Sequence, residues 1–311
     1  MRIVNLKDRE KPLSLTACGL CLGNFDGVHR GHRALIDELI RMNGQATPAL
    51  PLGALLFSKP PSLILAPRPV PQLTTLEEKL NLLGEAGLDF AVLYDFEELK
   101  DLSPDDFVQQ ILIGQCHCRL AVCGFNYSYG ARGAGTPDTL AQSFGALPGR
   151  ALSVVAPVTE GDTPISSSAI RILLQQGRPD TAARLLGRPF SLAGRVTNGK
   201  HVGGAMGFPT ANISFPQWGL VPKHGVYLSR VRIDGKDFYG ISNVGNRPTF
   251  DDGELINCET FVFDFEGDLY EKTIRVSLLR FLREERRFAS EQALREQILA
   301  DVAQAKTYAK T

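Results

Sequence analysis

From residue 13 to residue 185, nearly continuous apolar runs alternate with amphipathic segments. LSLTACGLCLG, PLGALLF, DFAVLYDF, CRLAVCG and ALSVVAP read as strands, while HRALIDELIRM, TTLEEKLNLLGEAG and SPDDFVQQILIG read as helices. The first helix is expected to place Leu35, Ile36, Leu39 and Ile40 on one face. Thr75 and Glu78 stand at capping-box spacing, and Ser103 caps a helix whose first position is Pro104. Strands that are apolar throughout, alternating with helices, predict a parallel α/β sheet covered on both faces, a Rossmann-like arrangement.

After GRPFSLAG the rhythm changes. Helical periodicity gives way to short β-rich runs with tight turns. Asp234-Gly235 between two such runs predicts a hairpin, and ETFVFDFEGDLYEKTIRVSLL is expected to form another, turning near Glu266-Gly267-Asp268. These strands predict a small antiparallel barrel. The tail returns to helical spacing through Leu294, Ile298, Leu299 and Val302. The 311 residues are enough for two cores, and the boundary is placed near Gly187, giving domains 1–186 and 187–311.

Lys plus Arg and Asp plus Glu both number 34, so the formal net charge is zero. A broad electrostatic footprint for nucleic acid or an anionic membrane is not expected. No apolar run reaches the roughly 18 residues that a transmembrane helix needs. The start, MRIVNLKDREKPLSL, is too polar for a signal peptide, and a cytoplasmic location is the expectation. Six cysteines are too few for a disulfide scaffold. Cys18 and Cys21 form a C-x-x-C within a strand, where residues three apart face opposite ways and cannot share a metal. The same alternation is expected to separate the cysteines of CRLAVCG.

The densest chemistry lies in GNFDGVHRGH, residues 23–32, at the turn from the first apolar strand into the first helix. Ligands of open parallel sheets bind at this end of the strands. Glycines permit close backbone approach, and a helix start attracts anions. His29 and His32 add donors there, an arrangement that fits phosphate better than metal. Gly23, Phe25-Asp26-Gly27, His29, Gly31 and His32 resemble the G-x-F-D-G-x-H-x-G-H signature of the nucleotidyltransferase superfamily. ISSSAIR, residues 165–171, resembles the I-S-S-T-x-I-R element of bacterial FAD synthetases. The resemblance implies that Ser167, Ser168 and Arg171 serve a polyphosphate, as serine caps and a bidentate Arg are suited to do. GFNYSYG, residues 124–130, is similar to a family segment that contributes to flavin and nucleotide binding, with Asn126 at its polar position. The family's Phe-x-Pro-His-Pro segment appears as FSKPPS, with Pro60 at the histidine position.

GRVTNGKH, residues 194–201, nearly matches a phosphate-binding loop. His201 replaces the required hydroxyl, however, and the surroundings read as strands rather than strand-loop-helix. The stretch leads into GGAMGFPTANI, residues 203–213, which resembles the L-G-F-P-T-A-N-I signature of riboflavin kinases, with Met206 in place of Leu and Gly204 in place of an upstream Arg. In an extended segment Thr210 and Asn212 face one side, and their neutral oxygens suit magnesium shared with ATP. The resemblance gives both positions that role and adds Gly207 to the ATP site. It also makes Glu259 the base that accepts the riboflavin 5′-hydroxyl proton. GNRPTF and FLREERRF match further segments of the same family, without roles for Arg247 or Arg283.

With motifs in both halves and in order, the chain resembles the bacterial bifunctional riboflavin kinase/FAD synthetases. The family implies a C-terminal domain that phosphorylates riboflavin to FMN with Mg-ATP. It implies an N-terminal domain that adenylylates FMN to FAD and releases pyrophosphate. Catalysis by His29, His32, Arg171 and Glu259 is the corresponding expectation, with riboflavin, FMN, FAD and ATP as partners.

Overall fold

The computed structural model describes residues 1–5, 16–197, 210–247 and 255–309. The chain divides into two compact units, Met1–Ser167 and Ser168–Thr311. In the first, β1 (Arg2–Asn5), β2 (Cys18–Leu22), β3 (Leu52–Phe57), β4 (Phe90–Tyr94), β5 (Cys118–Gly124) and β6 (Ala151–Val155) form one parallel sheet. Their spatial order is β1-β4-β3-β2-β5-β6. Successive residues of each strand feed two separate cores, which is why the strands are apolar throughout. Leu20, Leu22, Leu55 and Val92 lie in one core; Cys21, Ala54, Leu56 and Ala91 lie in the other. The helices Arg30–Asn43 and Leu76–Glu85 cover the second core with Leu35, Ile36, Leu39, Leu80 and Leu83.

Local signals were legible. The Thr75 hydroxyl accepts from the Glu78 amide at 3.1 Å, and the Ser103 hydroxyl from the Asp106 amide at 3.0 Å. Three expectations for the first unit need correction. Ile40 is 41% exposed; it stands about 100° round the helix from Leu39, past the buried stripe. The segment begun by Pro104 winds on as a π-helix over Phe107–Gln115, with the Cys116 amide bonded to the Ile111 carbonyl at 2.9 Å. The wider turns still bury Phe107, Val108, Ile111 and Leu112, so the apolar pattern does not distinguish the two windings. Cys118 and Cys123 share one core rather than facing opposite ways. The β2–β5 register slips from Cys18↔Cys118 to Gly19↔Leu120, and the extra residue, Arg119, reverses the alternation. Cys18 and Cys21 do lie in opposite cores, and all six cysteines are free and buried.

A short ribbon, β7 (Thr159–Glu160) with β8 (Thr163–Pro164), completes the first unit. In the second unit, β9 (Phe190–Arg195), β10 (Thr210–Ser214), β11 (Gly225–Ile233), β12 (Lys236–Arg247), β13 (Leu255–Val262) and β14 (Thr273–Arg283) form an antiparallel sheet. Its order is β10-β13-β12-β11-β14-β9. The edges meet where the Thr197 amide donates to the Asn212 carbonyl at 2.9 Å, which curls the sheet into a barrel. Asp234 and Gly235, at φ 47° and 81°, turn β11 into β12 as the Asp-Gly pair predicts. The second hairpin is not formed. β13 pairs with β12 and β10, and β14 with β11 and β9. Both edges of β13 are already taken, by β10 and β12, so β14 adds beyond β11 instead. The helices Ser167–Gln175 and Pro179–Leu186 precede the barrel. The helix Glu291–Ala309 packs Ile298, Val302, Ala305 and Tyr308 against Val226, Leu228, Ile241 and Phe263.

Gly53 on β3 pairs with Phe90 on β4, and a Cβ at Gly53 would come within 2.6 Å of the Phe90 ring. Gly53→Ala is expected to destabilise the first unit by about 1–3 kcal/mol through overpacking. Gly53→Ala combined with Phe90→Leu should lose less than the sum of the single losses in urea melts. Strictly additive losses would refute the contact.

Candidate active sites

β2 ends at the carboxyl edge of the parallel sheet, and residues 23–29 turn it into the helix Arg30–Asn43. Phe25, Gly27 and Val28 adopt left-handed φ values of 51°, 81° and 39°. Glycine does this freely; Phe and Val do so only under constraint. The constraint is visible. The Asp26 carboxylate, 1% exposed, accepts from the Leu73 amide at 2.9 and 3.2 Å and the Thr74 amide at 3.3 Å. The Thr74 hydroxyl accepts from the Gly27 amide at 3.1 Å. The Ser167 hydroxyl donates to the Asp26 carbonyl at 2.9 Å, so the two sequence motifs meet at this turn. The Phe25 ring is fully buried beneath Gly23, where a Cβ would lie 3.2 Å from it.

His29 caps the helix, its Nδ1 accepting from the His32 amide at 3.3 Å. An acceptor Nδ1 leaves Nε2 as the proton-bearing donor of a neutral ring. The two imidazoles stack at 3.7 Å with 16° between planes. Gly31 leaves room for them, since a Cβ there would come within 3.1 Å of the His29 ring. The buried Nδ1 of His32 has no hydrogen-bond partner among the described residues. Ser168 is exposed in the first turn of the helix Ser167–Gln175, and Arg171 lies half-buried one turn on. Asn126 is exposed in the turn after β5, where the Tyr127 amide donates to the Gly124 carbonyl at 3.0 Å. Pro60 lies just before the short helix Ser62–Leu65, its carbonyl accepting from the Leu63 amide at 3.0 Å.

In the second unit β13 runs between β10 and β12, so Glu259 is flanked by Asn212 on one side and Asn243 on the other. The Thr210 hydroxyl donates to Glu259 Oε1 at 2.5 Å, and Asn257 donates to Asn212 Oδ1 at 2.8 Å. Thr210, Glu259, Asn243 and Phe261 line a cavity of about 310 Å³, together with Arg283 and Asp301. Arg283 grips Asp301, 2% exposed, through contacts of 2.8, 3.0 and 3.1 Å, and thereby ties the barrel to the last helix. Asn243 donates to Glu285 Oε1 at 2.9 Å. Phe261 follows Glu259 on the cavity face; Phe265 lies beyond the strand, edge-on to Phe238. Gly207, with Gly204, Met206 and His201, lies outside the described residues.

Comparison with known proteins shows the family. Residues 11–169 match the FAD synthetase family model and residues 186–309 the riboflavin kinase model. A bifunctional riboflavin kinase/FMN adenylyltransferase from Bacillus subtilis is 35% identical over 93% of this chain and 92% of its own length. One from Pseudomonas fluorescens is 36% identical over 94% and 93%. The chain belongs to the bifunctional riboflavin kinase/FMN adenylyltransferase family. A solved structure titled a macrolide-efflux protein, from Streptococcus pneumoniae, superposes with a TM-score of 0.88 at 27% identity, covering 98% of this chain and 99% of that one.

Enzymes of these two classes use ATP with a divalent metal. Among the described residues no group of three or more His, Cys, Asp or Glu can hold a metal. The residues present still fit one. The Thr210 hydroxyl spends its hydrogen on Glu259, which frees its lone pairs, and Asn212 Oδ1 retains a second lone pair beyond its bond to Asn257. Two neutral oxygens on one strand face suit a hard cation whose other ligands are phosphate and water. Sequence reasoning overlooked Asn243, Asn257, Thr74 and Lys79. A signal for the last did exist: a lysine amid Leu76, Leu80 and Leu83 on the apolar face of its helix.

Burial first, then His29 and Lys79, hold the pKa of His32 well below the usual histidine range. The unfolded chain takes up this proton below about pH 6.5 while the folded ring refuses it, so stability is lost as pH falls. The His32 ring resonances are expected to stay fixed from about pH 7.5 to 5.5, and the first unit's urea midpoint to fall over that window less steeply in His32→Asn. A ring that titrates normally would contradict this.

Proposed function

We propose that the two sites divide the family's two reactions, the barrel cavity phosphorylating riboflavin and the turn after β2 adenylylating the resulting FMN. Domains 1–186 and 187–311 are assigned accordingly. The observation that carries the kinase reading is Glu259, held by Thr210 at the wall of one cavity and paired across the ladder with Asn212. Thr210 occupies Oε1, which leaves Oε2 to take the proton of the riboflavin 5′-hydroxyl. The oxygen so freed attacks the γ-phosphorus of ATP, and ADP departs with the electron pair of the broken bond. Thr210 and Asn212 would hold the ion that accompanies ATP, which we assign as magnesium; bound there, it offsets phosphate charge. Gly207 is assigned to the same nucleotide.

Adenylylation needs no protein base, because the FMN phosphate is already a nucleophile. Its oxygen attacks the α-phosphorus of a second ATP, and pyrophosphate leaves. The chain's task is to position and to neutralise charge. His29 Nε2 donates to the phosphates, with His32 stacked behind it as a neutral partner. Gly23, Gly27 and Gly31 let the backbone approach, and Ser167, Ser168 and Arg171 address the polyphosphate. Phe25 and Asp26 serve this site by shaping the turn, since a carboxylate aimed at phosphate would repel it. Asn126 is assigned to the flavin. Six free cysteines support a reducing, cytoplasmic setting.

Incubation with riboflavin and Mg-ATP, followed by flavin chromatography, should yield both FMN and FAD. Glu259→Gln is expected to cut FMN formation by at least about a hundredfold while FAD formation from supplied FMN persists. Loss of both activities in the folded variant would sink the two-site assignment. His29→Ala should slow FMN-to-FAD conversion about tenfold or more and spare the kinase; an unchanged adenylylation rate would remove that histidine from the phosphate site.

A further inference from the structure

Lys79 is the only buried lysine among the described residues, at 6% exposure. It projects from the helix Leu76–Glu85, and its Nζ donates to the Asn24 carbonyl at 2.8 Å. Burying an ammonium is costly unless charge and hydrogen bonds compensate it, and Leu or Met would fill this apolar face at no such cost. Burial indeed lowers the Lys79 pKa, and the Asp26 carboxylate opposes that shift. Asn24 and Asp26 belong to the turn that carries His29.

We propose that Lys79 is a positioning residue for adenylylation, its buried ammonium pinning the turn at Asn24 so that His29 and His32 meet the phosphates in register. This rests on the phosphate role given above to that turn. Three other holds grip the same few residues: the Leu73 and Thr74 amides on the Asp26 carboxylate, the Thr74 hydroxyl on Gly27, and the Ser167 hydroxyl on the Asp26 carbonyl. Lys79 supplies the hold at the start of the turn, ahead of left-handed Phe25. It is also the only one that brings positive charge. Burial disfavours a proton on His32 most, and the neighbouring His29 ring and the Lys79 ammonium add to that. One side chain thus fixes where the imidazoles stand and helps keep the inner one neutral.

Lys79→Met, with His29→Ala alongside it, tests the idea in the full chain. A misplacement of about 1 Å costs roughly a hundredfold in rate, so kcat for FMN adenylylation in Lys79→Met should fall about tenfold to a hundredfold. Riboflavin phosphorylation by the same protein should stay within about twofold, and KM for FMN should change less than kcat. The His32 ring should begin to titrate at higher pH in Lys79→Met, while Lys79→Arg, which keeps the charge, should not show that shift and should recover part of the rate. Lost rate with an unmoved His32 titration would reduce Lys79 to packing and overturn the proposal. So would full adenylylation in Lys79→Met beside an impaired His29→Ala. Full adenylylation in both variants would instead overturn the reading of the whole turn. Should Lys79→Met fail to fold, the unaltered protein still decides: the Lys79 ammonium protons should exchange with water far more slowly than those of exposed lysines, and equal exchange refutes the pinning.

Discussion

The first unit's chemistry hangs on one buried carboxylate. Asp26 accepts backbone amides from Leu73 and Thr74, and this forces the chain after β2 through a path that Phe25 and Val28 would not choose. Left-handed non-glycine residues cost on the order of 1–3 kcal/mol each. Hydrogen bonds to a charged group return roughly 1.5–3 kcal/mol each, so two or three of them offset the strain. What results is a helix start whose cap is an imidazole, His29, with a second imidazole stacked on it. Acid at position 26 is thus used to bend backbone, and in the proposed phosphate role contact with the anion is left to groups that do not repel it.

The barrel reaches the same end by a different constraint. β13 is an interior strand, and its ladders with β10 and β12 set Asn212 and Asn243 beside Glu259. A register slip of one residue would send Glu259 to the face now holding Cys258, Thr260 and Ser242, which are buried and bonded among themselves. Pairing on both sides of β13 makes that slip costly. The placing of Glu259 follows from ladder hydrogen bonds, with Thr210 trimming the carboxylate's rotation.

Much of this was legible in the chain. Strands apolar at every position implied a sheet buried on both faces, and Ser103-Pro104 and Asp234-Gly235 marked a helix start and a hairpin. The unread parts depended on partners remote in sequence. Nothing near Arg119 shows that an extra residue enters the ladder there, because that slip is set by β2. The stretch around Gly267 looks like a hairpin, yet which strand β14 joins depends on the occupied edges of β13. The motifs singled out His29, Ser167 and Glu259. They did not show that the Asp26 carboxylate faces Leu73 and Thr74, nor that Lys79 reaches Asn24, since each pairing spans roughly 50 positions and two elements.

The bulge at Arg119 has a further consequence. It turns Cys118 to the same side as Cys123, and because both faces of the sheet are covered every thiol of the chain is shielded: five in the first unit and Cys258 in the barrel. Burial raises the pKa of Cys21, Cys116, Cys118, Cys123 and Cys258, so a folded chain offers little thiolate to an oxidant or alkylating agent. Reactivity appears only when a core opens. Because the thiols are split five to one between the two units, each unit carries its own internal clock of opening, and the two can be timed separately within one molecule.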